Sequence, residues 1–488
     1  MRLVSILLVL LTACSAPQAG PAAPGAAAGD SGGDRRRVVE RGLLPAVVLA
    51  GRAEPRWTVE ERMERYRVPG LGVAVIDDGA VAWAAGYGVA RAGGAVPITA
   101  STLFQAASIS KAVTAAGALR LVQDGQLGLD EDVGRRLRSW RLPFADGVAP
   151  APVTLRHLLS HSAGVTVGGF PGYRHGAPLP TPIQILDGAA PANSRAVRVD
   201  ETPGGRYRYS GGGYQVVELL LAEVTGRPFA SLLDELVLAP AGMERSTFAQ
   251  PLPAALADAA AHGHGFDGAP VPGGWHVYPE RAAAGLWSTP ADLARFAVAL
   301  LRAFRGEPNR LLAPATARRM LTTEMGTMGL GVGVHDAGDA LHFDHAGWNR
   351  GTRTYLVAYP AAGDGIVVMA NGDGGHELIA EVVRAAARVY GWPHFAPERR
   401  RAVTVDPAVL DGLVGRWHME PVGFEVTVIR AGNHLLLATP RGSRYTFHPA
   451  STTEFFALED GATLRVRWDA EEGPEMQLWG STGRRGGR

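Results

Sequence analysis

The chain has almost no lysine and almost no cysteine. Of its 48 basic residues 47 are arginine, and Lys111 is the one lysine. Cys14 is the one cysteine, which excludes an intramolecular disulfide. Charge is nearly balanced, at +1 over 488 residues, and this argues against a nucleic-acid binder, whose basic residues concentrate on one face. No segment beyond the amino end is long and apolar enough for a transmembrane helix. Two catalytic signatures are also missing. His157 and His161 stand four apart, but Leu158 occupies the place where the zinc-protease helix needs Glu. His262 and His264 lie in a Gly-rich loop and suggest no metal site. No G-x-S-x-G occurs, so the nucleophile elbow of α/β-hydrolases is excluded.

The scarcity of lysine is itself informative. Arginine serves as well for most surface charge, but its guanidinium is not deprotonated in proteins. Lys111 is therefore a candidate wherever chemistry needs a neutral amine, although composition alone leaves a chance survivor open. Hydrophobic residues at 46% and a length of 488 predict a globular chain of two or three domains. Arg2 precedes an apolar run, Leu3 to Leu11, that is too short to cross a bilayer. It ends in Leu11-Thr12-Ala13-Cys14, which resembles the cleavage box of bacterial lipoproteins and implies lipidation of Cys14 and an exported, envelope-anchored protein.

Composition then divides the chain. Residues 1–14 read as a signal peptide and 15–55 as an Ala/Pro/Gly-rich flexible tether and lead-in, with Arg35-Arg36-Arg37 and Arg399-Arg400-Arg401 as solvated charge in linkers. Thr58 is a plausible N-cap for a helix carrying Val59, Met63 and Tyr66. Leu71 to Ile76 and Val81 to Tyr87, separated by Asp77-Asp78-Gly79, predict a β-hairpin. Ser108 to Val122 reads as an apolar helix, a mainly helical insertion follows over about 150–300, and strands return between 328 and 371 before a helix at 376–390. These make one domain over 56–395. Short alternating strands over 403–482 predict a second, all-β domain.

Three motifs carry chemistry. In Ser108-Ile109-Ser110-Lys111 the spacing of three brings hydroxyl and amine to one side of a helix start, whose free N–H groups suit a developing oxyanion. Burial lowers a lysine pKa toward the neutral form that can take a proton. Tyr209-Ser210-Gly211 offers a phenol that can donate or accept a proton, and taken alone it equally suits a packed aromatic. In His345-Ala346-Gly347-Trp348 a glycine on a strand edge lets a substrate approach the backbone.

In this order and spacing, the three sets resemble the serine β-lactamase and penicillin-binding-protein superfamily. The absence of K-T-G and the presence of His-Ala-Gly point to its class C-like branch, with its D,D-carboxypeptidases, D-aminopeptidases and esterases. Leu158 to Gly164 and Ala284 to Leu293 agree. The resemblance implies an α/β (α+β) fold with a mainly antiparallel sheet, a helical insertion and a C-terminal β-barrel. It implies Ser108 as nucleophile, Lys111 and Tyr209 as the proton-transfer pair with the base unassigned, and His345 as the third-motif residue. The N–H groups of Ser108 and Trp348, beside Gly347, would form the oxyanion hole. No metal or organic cofactor, no nucleic acid, and membrane contact only through a lipid anchor are expected. The substrate would be a small-molecule or peptide ester or amide. One departure stands out: Gly211 occupies a place where the family usually has Asn, which lowers the expectation of efficient β-lactam hydrolysis relative to esterase or peptidase activity. A catalytically weak envelope lipoprotein that binds a peptide or partner is the alternative.

Overall fold

The structure is a computed structural model and describes residues 31–485 apart from 337, 441 and 470–472. The expected signal segment and Cys14 lie outside the described residues. Helix α1 (Val59–Tyr66) begins in a capping box: Thr58 accepts the Glu61 N–H and Glu61 returns to the Thr58 N–H. Strand β1 (Gly70–Asp77) pairs antiparallel with β2 (Ala80–Gly88) across a turn in which Asp78 and Gly79 both have positive φ, 48° and 71°.

The chain then leaves the sheet. Helix α2 (Ser110–Gln123) is buried along most of its length and packs with α3 (Gly211–Thr225) in the helical body. Helix α4 (Pro290–Arg305) returns to cover the sheet, so the helical insertion ends nearer residue 290 than 300. Strands β3 (Gly333–His335), β4 (His342–Asn349), β5 (Thr352–Tyr359) and β6 (Asp364–Ala370) complete a six-stranded sheet in the order β2-β1-β6-β5-β4-β3, antiparallel throughout. Helix α5 (Gly375–Tyr390) covers the other face. Because successive strand residues point to opposite faces, Leu71, Val73 and Val75 join the α5 core while Ala74 and Ile76 join the core under α4.

Ordered structure starts earlier than the sequence pattern predicts. Ser31–Glu40 is a helix and Val47–Leu49 a strand, paired parallel with Glu398–Arg400. The two arginine clusters are therefore not linkers. Arg35 pairs with Asp77, Arg36 lies over the Trp83 and Tyr87 rings, and Arg399 pairs with Glu54. Arginine stems pack on aromatic faces while keeping their charge satisfied, which an apolar-periodicity reading does not detect. Strands within Gly415–Arg485 close an eight-stranded antiparallel barrel around Trp417, Phe447, Phe455 and Met476.

Candidate active site

The nucleophile candidate sits where three elements meet. Phe104-Gln105 pairs with Trp287-Ser288, and Ala106 donates to the Leu286 carbonyl at 2.8 Å. Ala107 then takes φ +50°, a strained value for a residue with a Cβ. The chain enters the 3-10 turn Ala107–Ile109, which runs directly into α2. The Ser110 hydroxyl accepts the Leu286 N–H at 3.0 Å and Thr354 Oγ1 donates to the Ala106 carbonyl at 3.0 Å, so the strained turn is held from both sides. Ser108 is half-buried and reaches solvent.

Lys111 lies one turn on. Its Nζ is 3.1 Å from Ser108 Oγ and donates to the Ala283 carbonyl at 2.7 Å. It is 2% exposed, and burial lowers its pKa to about 7. The same nitrogen is 5.0 Å from the centre of the Tyr209 ring and 5.7 Å from that of Tyr214. The Ala283 carbonyl was not predicted, since a main-chain oxygen leaves no trace in side-chain patterns. It comes from the short helix Arg281–Ala284, fixed to α3 by Glu218, which accepts the Ala282 N–H at 3.0 Å and pairs with Arg281 at 3.0 Å.

Tyr209 is held by its neighbour Ser210 and by the ring of His161. Ser210 caps α3 by accepting the Gly213 N–H at 2.8 Å, and its own N–H donates to His161 Nδ1 at 3.1 Å. The His161 ring lies 4.3 Å from the Tyr209 ring, centre to centre. Burial and the Lys111 charge hold His161 well below the usual imidazole range, so it is neutral. His157 accepts the Thr154 N–H at 3.3 Å within a capping box. Both histidines of that spacing thus have local hydrogen-bonding roles. Burial raises the Tyr209 phenol above its ordinary value, with the Ser108 hydroxyl opposing.

Strand β4 brings the third motif alongside. β3 pairs with β4 from His342 to Asp344, and beyond it the His345–Asn349 edge faces the Ala107–Ile109 turn. Gly347 is required there: a Cβ would lie 2.2 Å from Thr354 Oγ1 and 2.6 Å from the Ala106 carbonyl oxygen. His345 is buried, its Nδ1 2.7 Å from the Ala346 carbonyl. Burial and the Lys111 charge lower its pKa to about 4. Trp348 is 39% exposed, donates its indole N–H to Asp373 at 3.0 Å and stacks under Arg353 at 3.7 Å.

The structure thus brings Ser108, Lys111 and Tyr209 into direct contact and sets His345, Gly347 and Trp348 on the strand beside them. Gly211 opens α3 next to Tyr209, and a Cβ there would lie 3.0 Å from the ring of Phe170, which no sequence motif singles out. Glu280, one residue before the Ala283 helix, is equally silent in the sequence. Both of its carboxyl oxygens are buried, with Tyr173 as a polar neighbour, and burial raises its pKa to about 8. Among the described residues no three His, Cys, Asp or Glu side chains are grouped to hold a metal ion.

A profile of the family described as Beta-lactamase matches residues 56–390. Esterase EstB of Burkholderia gladioli is 30% identical over 211 residues, 42% of this chain and 53% of the esterase. A D-aminopeptidase of Gluconobacter oxydans is 32% identical over 191 residues, 38% of this chain and 33% of the peptidase. The chain therefore spans about half of the first relative and a third of the second. The octameric penicillin-binding protein homologue from Pyrococcus abyssi superposes with a TM-score of 0.60 at 23% identity, covering 87% of this chain and 98% of that one, a likeness of fold.

Proposed function

The chain belongs to the β-lactamase family of serine hydrolases, and on that premise we propose that it hydrolyses an ester or amide through an acyl-enzyme on Ser108. The observation that carries this reading is the contact of Ser108 Oγ with a lysine whose pKa lies near 7, at 3.1 Å. A buried amine that is substantially neutral at physiological pH can take the serine proton as Oγ attacks the carbonyl carbon. The Tyr209 phenol is pushed up rather than down, so it serves as a proton donor. Lys111 is then the base and Tyr209 the acid that meets the leaving group.

The tetrahedral oxyanion would be held by the backbone N–H groups of Ser108 and Trp348, which adjoin through the close approach at Gly347. Collapse breaks the bond to the leaving alkoxide or amine, which departs with a proton and leaves the acyl group as an ester on Ser108. The proton that Lys111 took from Ser108 passes to the Tyr209 oxygen that protonated the leaving group, which restores both residues. A water molecule then attacks the ester, Lys111 takes its proton, Tyr209 gives a proton to the departing Ser108 Oγ, and the proton on Lys111 returns to Tyr209. His345 is neutral at pH 7; with Nδ1–H donated to the Ala346 carbonyl, Nε2 is an acceptor and not a cation.

The test is intact mass spectrometry after exposure to a fluorophosphonate, a penicillin and an activated short-chain ester, beside Ser108→Ala. A covalent adduct or turnover that disappears in Ser108→Ala is expected. If none of the probes gives a Ser108-dependent adduct or turnover, the hydrolase reading fails.

A further inference from the structure

The loop packed against Gly211 carries an aromatic ring and is fixed. Ser210 is extended, φ −140° and ψ 115°, so Tyr209 and residue 211 project to the same side of the chain. Tyr209 faces Lys111, so a side chain at 211 would enter the same cleft. A Cβ on Gly211 would lie 3.0 Å from Phe170 Cε2, 3.3 Å from the Gly168 carbonyl oxygen and 3.4 Å from Phe170 Cδ2. The Phe170 ring therefore borders the direction in which a side chain at 211 would leave the chain. A side chain at 211 requires the Phe170 ring to shift, so the two positions are coupled.

The loop that presents Phe170 is pinned on both sides. Before it, Gly211 N–H donates to the Gly168 carbonyl at 3.2 Å and Gly212 N–H to the Val167 carbonyl at 2.9 Å. After it, the Tyr278 hydroxyl lies 3.4 Å and His276 Nδ1 3.0 Å from the Pro171 carbonyl, and Asn193 Nδ2 donates to the Gly172 carbonyl at 3.0 Å. Gly172 passes so near the Tyr278 ring that a Cβ would be 2.6 Å from it. The ring of Phe170 rests on the main core and stays only half-buried. Tyr207 and Trp348, on the segments carrying Tyr209 and Gly347, are exposed at 41% and 39%. Two exposed aromatic rings thus stand on the segments that carry Tyr209 and Gly347, with the Arg353 guanidinium over Trp348.

We propose that Phe170, seated against Gly211, makes this enzyme selective for uncharged esters with an apolar chain next to the scissile carbonyl, and against amides and β-lactams, whose polar groups would face the ring unpaired. The proposal rests on the serine hydrolase reading above. An apolar chain laid on Phe170 gains burial, whereas an amide there loses hydrogen bonds to water and finds none in return. Each methylene that the ring covers is expected to raise kcat/KM about two- to fourfold.

The test compares the wild-type protein with Phe170→Ala, Gly211→Asn and the double variant. One series of p-nitrophenyl esters lengthens the acyl chain, and one series of alkyl acetates lengthens the alcohol. Nitrocefin and a D-amino-acid p-nitroanilide supply the β-lactam and the amide. Fluorophosphonate labelling of Ser108 reports which variants retain a folded site. In the wild type, rates rise with chain length in one of the two ester series, and which series responds identifies the side on which the chain lies. Phe170→Ala flattens that rise. Gly211→Asn alone loses at least tenfold on esters because its side chain meets Phe170. The double variant recovers acyl transfer and gains about tenfold on nitrocefin or the anilide over the wild type. Chain-length series that are flat in the wild type, or a rise that survives Phe170→Ala, overturn the proposal. Such a result with Ser108 still labelled sinks only the role of Phe170, whereas absence of labelling in the wild type sinks the hydrolase reading.

Discussion

Replacing Lys111 with methionine is expected to remove activity and, at the same time, to change how the stability of the fold depends on pH. An unperturbed lysine titrates at about 10.4, and burial brings Lys111 to about 7. Between those values the unfolded chain binds the proton and the folded chain does not. Stability therefore rises with pH from about 7 to about 10.4 and is lowest, and flat, below 7. At about 1.36 kcal/mol per pKa unit, this one amine accounts for a gain of about 2 kcal/mol between pH 7 and pH 9, and about 5 kcal/mol over its whole range. Methionine fills a similar unbranched volume without charge. It forgoes the hydrogen bonds to Ser108 Oγ and the Ala283 carbonyl, and the bare carbonyl costs about 1–3 kcal/mol. At pH 7 the relief from the buried amine outweighs the bare carbonyl by about 1–4 kcal/mol, and the slope with pH is the decisive readout. Urea unfolding followed by tryptophan fluorescence at pH 7, 8 and 9, analysed for the hydrolase transition separately from the barrel, gives that slope. The wild type is expected to gain about 2 kcal/mol more than Lys111→Met across that interval. Other titrating groups cancel in the difference between the two proteins. Parallel stability curves would show that Lys111 titrates normally, and the assignment of this lysine as the base would fall with it. Acylation should follow the same proton, with the log of the rate rising at unit slope below about pH 7 and levelling above it.

Two further predictions concern residues around that amine. Gly347→Ala places a methyl group 2.2 Å from Thr354 Oγ1 and 2.6 Å from the Ala106 carbonyl oxygen. Pushing the strand from the nucleophile turn is expected to destabilise by about 1–3 kcal/mol and to lower turnover at least tenfold; an unchanged kcat would mean that the close approach does not matter for the chemistry. Glu280 is raised to about 8 by burial, so the folded chain holds a proton that the unfolded chain releases, and stability falls as pH rises from about 4.5 to about 8. Glu280→Gln is expected to remove that fall, and identical pH slopes in melting temperature for the two proteins would contradict it.

What could be read from the residues in advance was local. The hairpin at Asp77-Asp78-Gly79 is encoded by two residues that tolerate positive φ between two strands, and the α1 start by a hydroxyl and a carboxylate three apart. The contact of Ser108 with Lys111 follows from helical spacing, and the placing of Tyr209 and His345 beside it from the family resemblance that the three motifs carry together. What escaped depends on residues far apart in the chain. Val47–Leu49 gains its meaning as a strand only from Glu398–Arg400. Phe170 lies in a Gly-Gly-Phe-Pro-Gly run that reads as an ordinary loop, and only the fold lays its ring on Gly211. Glu280 looks like one more surface carboxylate until its burial is seen.

The retained lysine shows how composition and packing meet. Lys111 has two hydrogen-bond partners, Ser108 Oγ and the Ala283 carbonyl, both uncharged, and desolvation alone accounts for its lowered pKa. An arginine in its place would bring five donors and a charge it cannot shed into a pocket offering two acceptors. Burying such a charge without a counter-ion is far more costly than burying an amine that can release its proton. The site therefore rejects arginine twice: it cannot accept the serine proton, and the fold cannot hold its charge there. Most other described arginines lie at the surface or beside carboxylates and aromatic rings, as Arg62 does against Glu381 and Trp57, where permanent charge is no obstacle; Arg384 is an exception, buried with a hydrogen bond to the Leu44 carbonyl. A chain free to exchange lysine for arginine everywhere else would keep lysine at this position on physical grounds alone.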